Sequence, residues 1–392
     1  MLRVCLIHNH YLQPGGEDAV FETEIALLER MGHEVIPFVE DNARLSGMNP
    51  LQAVRNAVWS GETQEKMRRL IRERKPDVAH FHNTFLMISP AAYYACQEEG
   101  VPVVQTLHNY RLICPGALLM REGRVCEECV GRTAPWPSVM HGCWRGSRLQ
   151  TSVVAAMLMV HRAMKTWSEQ VDIYIALTDF ARRKFIEGGL PAEKIVVKPN
   201  FVDPDPGVGR HEGNYALFVG RLSPEKGMHT LLRAWRMLKD VPLKIVGDGP
   251  LRAEVEAFIG REGLTEVEVL GRKAREDVFC LMQKARVLVF PSECYENFPV
   301  SVAEAFACGL PVIASRLGAI AEIVEDGRTG LLFNPNDPED LAVTVEWAWT
   351  HSEKLAEMGR EARRAYEEKY TAERNYALLM DIYAQARQMA LV

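Results

Sequence analysis

The chain of 392 residues contains no apolar run of membrane-spanning length. Its longest apolar stretch inside a helical pattern, Val153–Val160, falls well short of the ~20 residues that a bilayer-crossing helix needs. It has no excess of positive charge either: 46 Lys and Arg stand against 52 Asp and Glu, a net charge of −6. Nucleic acid is therefore excluded as the main partner, because phosphate-backbone binding needs a basic surface. A small anion needs only a few local cations and stays allowed. Met1–His8 holds one short apolar run and then turns polar, so no secretory leader is expected. Nine cysteines, several of them unclustered, fit a reducing compartment better than a disulfide scaffold. The expectation is a cytoplasmic protein, with peripheral contact at the inner face of a membrane left open. There is no repeat of fixed short period. A Gly-x-Gly-x-x-Gly turn followed by an acidic ribose ligand is also missing, which disfavours a dehydrogenase. The one Asp-x-Asp, Asp203-Pro-Asp205, falls in a Pro/Gly-rich break, so no acidic metal clamp is expected.

What is present is alternation, in a chain of ordinary globular composition (47% hydrophobic, 25% charged). Strand-like segments at Val4–Ile7, Val35–Val39, Val78–His82, Val101–Leu107, Ile173–Leu177 and Ile195–Val197 are separated by helical patterns near Asp18–Met31, Leu51–Trp59, Glu62–Arg74, Ala91–Gln97 and Thr151–Trp167. Strands spaced by helices pair in parallel, because parallel neighbours need a crossover. A polar Pro/Gly-rich stretch, Asp203–Asn214, has linker composition. The alternation then restarts with strands at Ala216–Val219, Leu243–Val246, Val267–Leu270, Val287–Phe290, Val312–Ala314 and Leu331–Phe333, and it ends in helices at Pro338–Trp349, Glu353–Lys369 and Thr371–Met389. The reading is α/β: two doubly wound, Rossmann-like domains facing across a cleft. Residues 1–203 form the first, with a Cys-rich insertion at about 109–150. Residues 204–213 are a linker, 214–370 the second domain, and 371–392 a helix packing back on the first. Ligands of such sheets bind at the carboxyl ends of the strands.

In the second half those ends carry unusual residues. Ala216–Val219 runs into Gly220-Arg-Leu-Ser-Pro-Glu-Lys-Gly227, with Arg221 and Lys226 at a helix start, where a diphosphate is favoured. By itself this could be a polar turn with two solvated cations. The next strands end in Gly247-Asp-Gly-Pro250 and Gly271-Arg272, and each alone could be a turn without a ligand. Val287–Phe290 leads to Pro291-Ser-Glu-Cys-Tyr-Glu296-Asn-Phe-Pro-Val-Ser-Val-Ala-Glu304, placing Glu296 on a loop and Glu304 about a turn into a helix, beside unsatisfied amides.

Together these segments closely resemble the retaining family 4 glycosyltransferases (glycosyl transferases group 1) of the GT-B fold. The likeness spans most of 214–340 and extends more loosely to the first half. It implies that Arg221 and Lys226 bind the donor diphosphate and steady the leaving group. Glu304 would accept hydrogen bonds from the ribose, and Glu296 would meet hydroxyls of the donor sugar near the reacting carbon. Gly247, Arg272 and the amides at Asn297, Phe298 and Val300 complete the donor site. The family often has glycine where this chain has Asn297 and Pro299; proline has no N–H, which removes one expected amide contact.

In the first half, the loop His8-Asn-His-Tyr-Leu-Gln-Pro-Gly15-Gly16-Glu17-Asp18 permits close backbone approach at its glycines; read without the family it is an ordinary turn capped by Asp18. The resemblance places Gly15 and Gly16 near the donor phosphate and matches His108 to a histidine that reaches the donor sugar. His80 and His82 end another strand and read as packed or solvated histidines, with acceptor contact as the alternative. Cys126-Glu-Glu-Cys129, flanked by Cys114 and Cys143, has the makings of a four-thiolate structural zinc site; reduced, unliganded thiols are the competing reading. Trp136, Trp144, Arg145 and Arg148 make the same insertion aromatic and basic.

The expected function is metal-independent transfer of a sugar, with retention, from a nucleoside-diphosphate sugar to a hydroxyl acceptor (a glycan, a lipid-linked sugar or a small molecule), most naturally in making cell-surface polysaccharide or glycolipid. No cofactor is expected for the chemistry. A nucleotide-sugar epimerase of the same fold and a non-catalytic nucleotide-sugar binding protein are the alternatives; donor turnover with and without acceptor separates them.

Overall fold

The computed structural model describes residues 1–12 and 15–390. The chain divides into two compact units. The first comprises Met1–Leu119, Glu127–Asn200 and the chain from Asn375 onward; the second comprises Met120–Cys126 and Phe201–Arg374.

The first unit is built on a six-stranded sheet of β1 (Arg3–His10), β2 (Glu34–Asp41), β3 (Val78–Phe81), β4 (Val103–Thr106), β7 (Ile173–Ala176) and β8 (Ile195–Val197). A short antiparallel hairpin, β5 (Met120–Arg121) and β6 (Arg124–Val125), lies between β4 and β7 in sequence. The sheet order is β2-β1-β3-β4-β7-β8, and the pairings are parallel. Val4, Leu6, Val78, Val104, Ile173 and Ile175 form a continuous core, as expected of parallel strands covered on both faces. The helix Gly16–Arg30 follows β1. Its N-cap is Gly15, and Asp18, three residues on, accepts the Gly15 N–H at 2.6 Å. Asp18 is therefore not the capping residue itself, because the helix starts earlier than its apolar pattern. The expected Thr151–Trp167 helix is two: Arg148–Ala163 and Thr166–Glu169, separated at Lys165, whose φ of 55° ends helical progression. The helix Ala372–Met389 buries Leu379, Ile382, Tyr383 and Ala386 in the core of this first sheet. Residues 391 and 392 of the expected C-terminal helix lie outside the described residues.

The second unit holds β9 (Ala216–Val219), β10 (Leu243–Val246), β11 (Val267–Gly271), β12 (Val287–Phe290), β13 (Val312–Ser315) and β14 (Gly330–Phe333). Their order is β11-β10-β9-β12-β13-β14. Counted from β9 this is 3-2-1-4-5-6, so the winding reverses between β9 and β12 and a crevice opens at their carboxyl ends. Its core packs Phe218, Leu231, Trp235, Ile245, Val289 and Ile313 with Leu341 and Val345 of the helix Pro338–Thr350.

The stretch with linker composition is pinned to this unit. Asp205 forms a bidentate pair with Arg363 (2.7 and 2.8 Å), and the Gly209 and His211 amides donate to the Cys308 and Gln283 carbonyls at 2.9 Å. A Cβ at Gly209 would sit 2.2 Å from the Gln283 carbonyl oxygen. Glycine here permits close docking of backbone to backbone, and the segment satisfies its polar groups with partners outside itself.

Truncating a fully buried residue of the closing helix tests its part in the first core. Leu379→Ala is expected to cost about 2–5 kcal/mol in denaturant unfolding; a loss under about 0.5 kcal/mol would mean that the helix is not part of that core.

Candidate active site

Three adjacent strands of the second sheet end in glycine. The Gly220 amide donates to the Val246 carbonyl and the Gly247 amide to the Gly271 carbonyl, each at 3.0 Å. Gly247 has φ 145°, and a Cβ there would lie 1.8 Å from the Gly220 oxygen. A side chain is excluded, and the result is a bare backbone ledge beside the switch point. Gly227, at φ 70°, closes the loop after β9; its Cβ would meet the Pro291 carbonyl oxygen at 1.9 Å. That contact seats the Arg221–Lys226 loop against the end of β12.

Across this seat the Lys226 ammonium reaches the Glu296 carboxylate at 2.5 Å, and the Ser292 hydroxyl donates to the same oxygen at 2.7 Å. Burial pushes the Lys226 ammonium down, but Glu296, Cys294 and Glu225 around it together hold the net shift upward, so the lysine is charged. Arg221, about half exposed, donates to Glu225 at 2.5 Å and to the Ser223 hydroxyl at 3.3 Å. Glu304 lies on the helix Val300–Ala307, where Arg275 donates to it at 3.3 Å. Burial raises the Glu304 carboxyl and the Arg275 charge offsets only part of that. Asn297 and Phe298 are buried, and the Phe298 ring packs edge-on to Tyr370 at 5.5 Å. Pro299 is the N-cap; the Val302 amide donates to its carbonyl at 3.0 Å, and Val300 begins the helix. Arg272 is exposed beyond the end of β11 and belongs to neither ion pair. Arg275 and Ser292, which hold the two glutamates, were not singled out in the sequence. Arg275 stands 29 positions from Glu304 and carries no local signal.

The corresponding edge of the first sheet is a histidine cluster. The order β2-β1-β3 reverses winding between β1 and β3, and His8, His10, His80 and His82 all stand at those strand ends. His8 Nε2 and His10 Nδ1 face one oxygen of Asp18 at 2.8 and 2.9 Å. Burial pushes the Asp18 carboxyl up, but hydrogen bonds from His8, the Gly15 amide and His10 bring it below its ordinary value. Glu24, on the same helix, accepts from His82 Nε2 at 3.2 Å and Lys198 at 3.3 Å, and His80 Nδ1, which bonds the Tyr383 hydroxyl, lies 3.0 Å from it. His82 Nδ1 meets His108 Nε2 at 3.0 Å, just beyond β4. Both sets, His8–His10–Asp18 and Glu24–His80–His82, bring ligand-type atoms within 4.8 Å. In the second, Lys198 already neutralises the carboxylate, which removes the electrostatic reason for a cation. His82 is thus a buried hydrogen-bonded link, and the reading of these histidines as packed side chains is extended by their pairing with His108.

Gly15 and Gly16 open the helix Gly16–Arg30; Gln13 and Pro14 of their loop lie outside the described residues. In the same turn Glu17 accepts from Asn109 at 3.3 Å, and that amide also donates to the Tyr11 hydroxyl at 3.3 Å. Burial pushes the Glu17 carboxyl up to about 7, against hydrogen bonds from Asn109 and Tyr11. In the Cys-rich insertion no disulfide forms among the described residues. Cys114 and Cys143 both border Gly116, but among the described residues the four cysteines do not gather their sulfurs into a group of three or more ligand atoms within 4.8 Å of one another.

Two doubly wound parallel sheets, the second with a glycine ledge and a Lys–Glu pair at its switch point, define the GT-B architecture. Residues 204–365 match the sequence model of "Glycosyl transferases group 1" and residues 14–206 that of "Glycosyltransferase Family 4". The chain is 35% identical to an uncharacterized glycosyltransferase of Methanocaldococcus jannaschii, over 74% of this chain and 77% of that protein. It is 33% identical to the O-antigen chain mannosyltransferase C of Escherichia coli, over 43% of this chain and 46% of that one. Anabaena HepE, crystallised with UDP and glucose, superposes with a TM-score of 0.69 at 18% identity, over 98% of this chain and 100% of that chain. The chain belongs to the family 4 glycosyltransferases and has their GT-B fold.

The raised Glu17 carboxyl makes a signed prediction. A folded-state value above the unfolded one favours the fold while the group is protonated; that contribution is complete below about pH 4.5 and is lost as pH rises through about 7. Glu17→Gln should therefore raise the Tm relative to the wild type at pH 8, with the gain vanishing towards pH 4. Parallel Tm–pH curves would refute it.

Proposed function

We propose that the protein is a retaining, metal-independent glycosyltransferase that moves a sugar from a nucleoside-diphosphate sugar to a hydroxyl acceptor, in the synthesis of a cell-surface polysaccharide or glycolipid. The observation that carries this reading is the Lys226–Glu296 pair at the reversal of the second sheet, beside a backbone ledge that excludes side chains. Departure of a nucleoside diphosphate builds negative charge on a phosphate oxygen and positive character on the anomeric carbon. Fixed cations stabilise the first. Arg221 and Lys226 supply them in this reading, with the first amides of the helix at Val300. Glu296 then faces the sugar hydroxyls and Glu304 the ribose, and His108 keeps the donor-sugar role that the family resemblance gives it. Retention follows if the leaving phosphate itself takes the acceptor proton, which needs no protein base. HepE, solved with UDP and glucose, and the E. coli O-antigen mannosyltransferase support the donor type and the biosynthetic setting.

Binding of UDP, GDP and ADP by calorimetry, each with and without EDTA, tests the donor site. One nucleotide should bind, with unchanged affinity in chelator, and Glu304→Ala should weaken it by about 1–3 kcal/mol through the lost ribose contacts. No binding of any of the three would overturn the assignment. His108→Ala should lower turnover more than donor affinity.

We also propose a structural zinc held by Cys114, Cys126, Cys129 and Cys143. The Cys-x-x-Cys spacing with Cys114 and Cys143 both bordering Gly116 motivates it, and a zinc would require the four thiolates to draw together as such sites do. Elemental analysis should find about one zinc per chain; folded protein without metal would reject the site. The insertion exposes Trp136, Met140 and Leu149 beside Arg145 and Arg148, chemistry suited to a peripheral anionic membrane contact. No helix among the described residues is long and apolar enough to cross a membrane.

A further inference from the structure

His108 does not stand alone at the edge of the first sheet. Its Nε2 lies 3.0 Å from His82 Nδ1, and His82 Nε2 lies 3.2 Å from Glu24 Oε1. Glu24 and the His82 side chain are almost wholly buried. The groups facing this line are His8 from β1, His80 from β3, Lys198 after β8 and Tyr383 from the closing helix.

The proton positions follow from the ends of the line. Glu24 carries a negative charge, because Lys198 and the two imidazoles hold its carboxyl well below the usual range despite burial. An ionised carboxylate only accepts, so His82 Nε2 must donate to it. Burial drives His82 down to about 4, so its ring is neutral and its Nδ1 is a bare lone pair. The only partner for that lone pair in the line is His108 Nε2, which must carry the proton. Burial holds His108 well below its ordinary value as well, so it too is neutral, and its remaining nitrogen, Nδ1, is an acceptor.

We propose that Glu24 and His82 are positioning residues that fix His108 as the Nε2–H tautomer, so that it meets its ligand through Nδ1 as a hydrogen-bond acceptor. This rests on the reading that His108 faces the donor sugar. The chemical consequence is selectivity: the group opposite His108 must be a hydrogen-bond donor, as a sugar hydroxyl is, and a deoxy or methoxy sugar at that position cannot make the bond.

The test needs no turnover to begin with. In long-range 1H–15N spectra of histidine-labelled protein, His108 should carry its proton on Nε2 alone and stay untitrated between pH 6 and 8. A proton on Nδ1, or a tautomer mixture, overturns the proposal. His82→Phe keeps a ring but removes the acceptor. It should give His108 a mixture of tautomers and lower kcat about 10- to 100-fold, the usual range for lost supporting contacts, with donor KM within about twofold. His82→Gln keeps one donor and one acceptor and should recover most of the rate. Unchanged kcat in His82→Phe, or no rescue by His82→Gln, counts against it. If His108→Ala instead turns over at the full rate while the wild-type spectrum shows the Nε2–H form, the placement of His108 at the donor sugar is what fails.

Discussion

A carboxylate buried to 1% exposure has to be matched where it lies, and Glu24 is matched from three sides. Lys198, itself 2% exposed, neutralises it from the stretch after β8, His82 donates from the end of β3, and His80 packs 3.0 Å from it. Lys198 in turn donates to Asn375 at the start of the closing helix, and His80 bonds Tyr383 further along it. The first helix, the central strand, the last strand and the chain's final helix therefore share one electrostatic junction. Removing Glu24 or Lys198 leaves the other as an uncompensated buried charge, which costs about 3–5 kcal/mol. Hydrophobic burial would tolerate some sliding of these elements. The junction does not, and it fixes the rim of the sheet from which His108 and the Gly15–Gly16 turn project.

The second unit achieves its rim differently. There the constraint is steric and carried by the backbone: Gly247 and Gly227 sit where a single methyl would collide with a carbonyl oxygen. Charge near this ledge is paired, in Lys226–Glu296, Arg221–Glu225 and Arg275–Glu304. A ligand that takes up Lys226 must loosen a close ion pair, so this lysine is already held in position by a partner that a phosphate or a hydroxyl can replace.

How much of this the sequence disclosed follows from the range of the interactions. Strands and helices came through because parallel strands buried on both faces leave dense apolar runs, and every expected strand is present. Arg221, Lys226, Glu296 and Glu304 could be singled out because they lie in the stretches that directly follow the ends of β9 and β12, the last of them on the next helix. The helix break at Lys165 was not legible, since Val153–Trp167 keeps its apolar character across it. The linker stretch read as a spacer because its tie, Asp205 to Arg363, spans 158 positions. The junction at Glu24 was invisible for the same reason: its members are spread from position 24 to 383, and none is unusual where it stands. His82 looked like a packed histidine, which it is; only its neighbours give it a second role.

The path of the chain has a consequence for how the protein is made. The helix that completes the first core, Ala372–Met389, leaves the ribosome after the whole of 201–374. Those 174 residues take roughly 10–35 s to synthesise at ordinary elongation rates. Through that interval the apolar surface around Val4, Leu6 and Val78, and the unsatisfied end of Lys198, wait for a partner that does not yet exist. The nascent first half therefore stays without part of its core through that interval, whereas the described core cluster of the second half is drawn from residues 216–355, which emerge together.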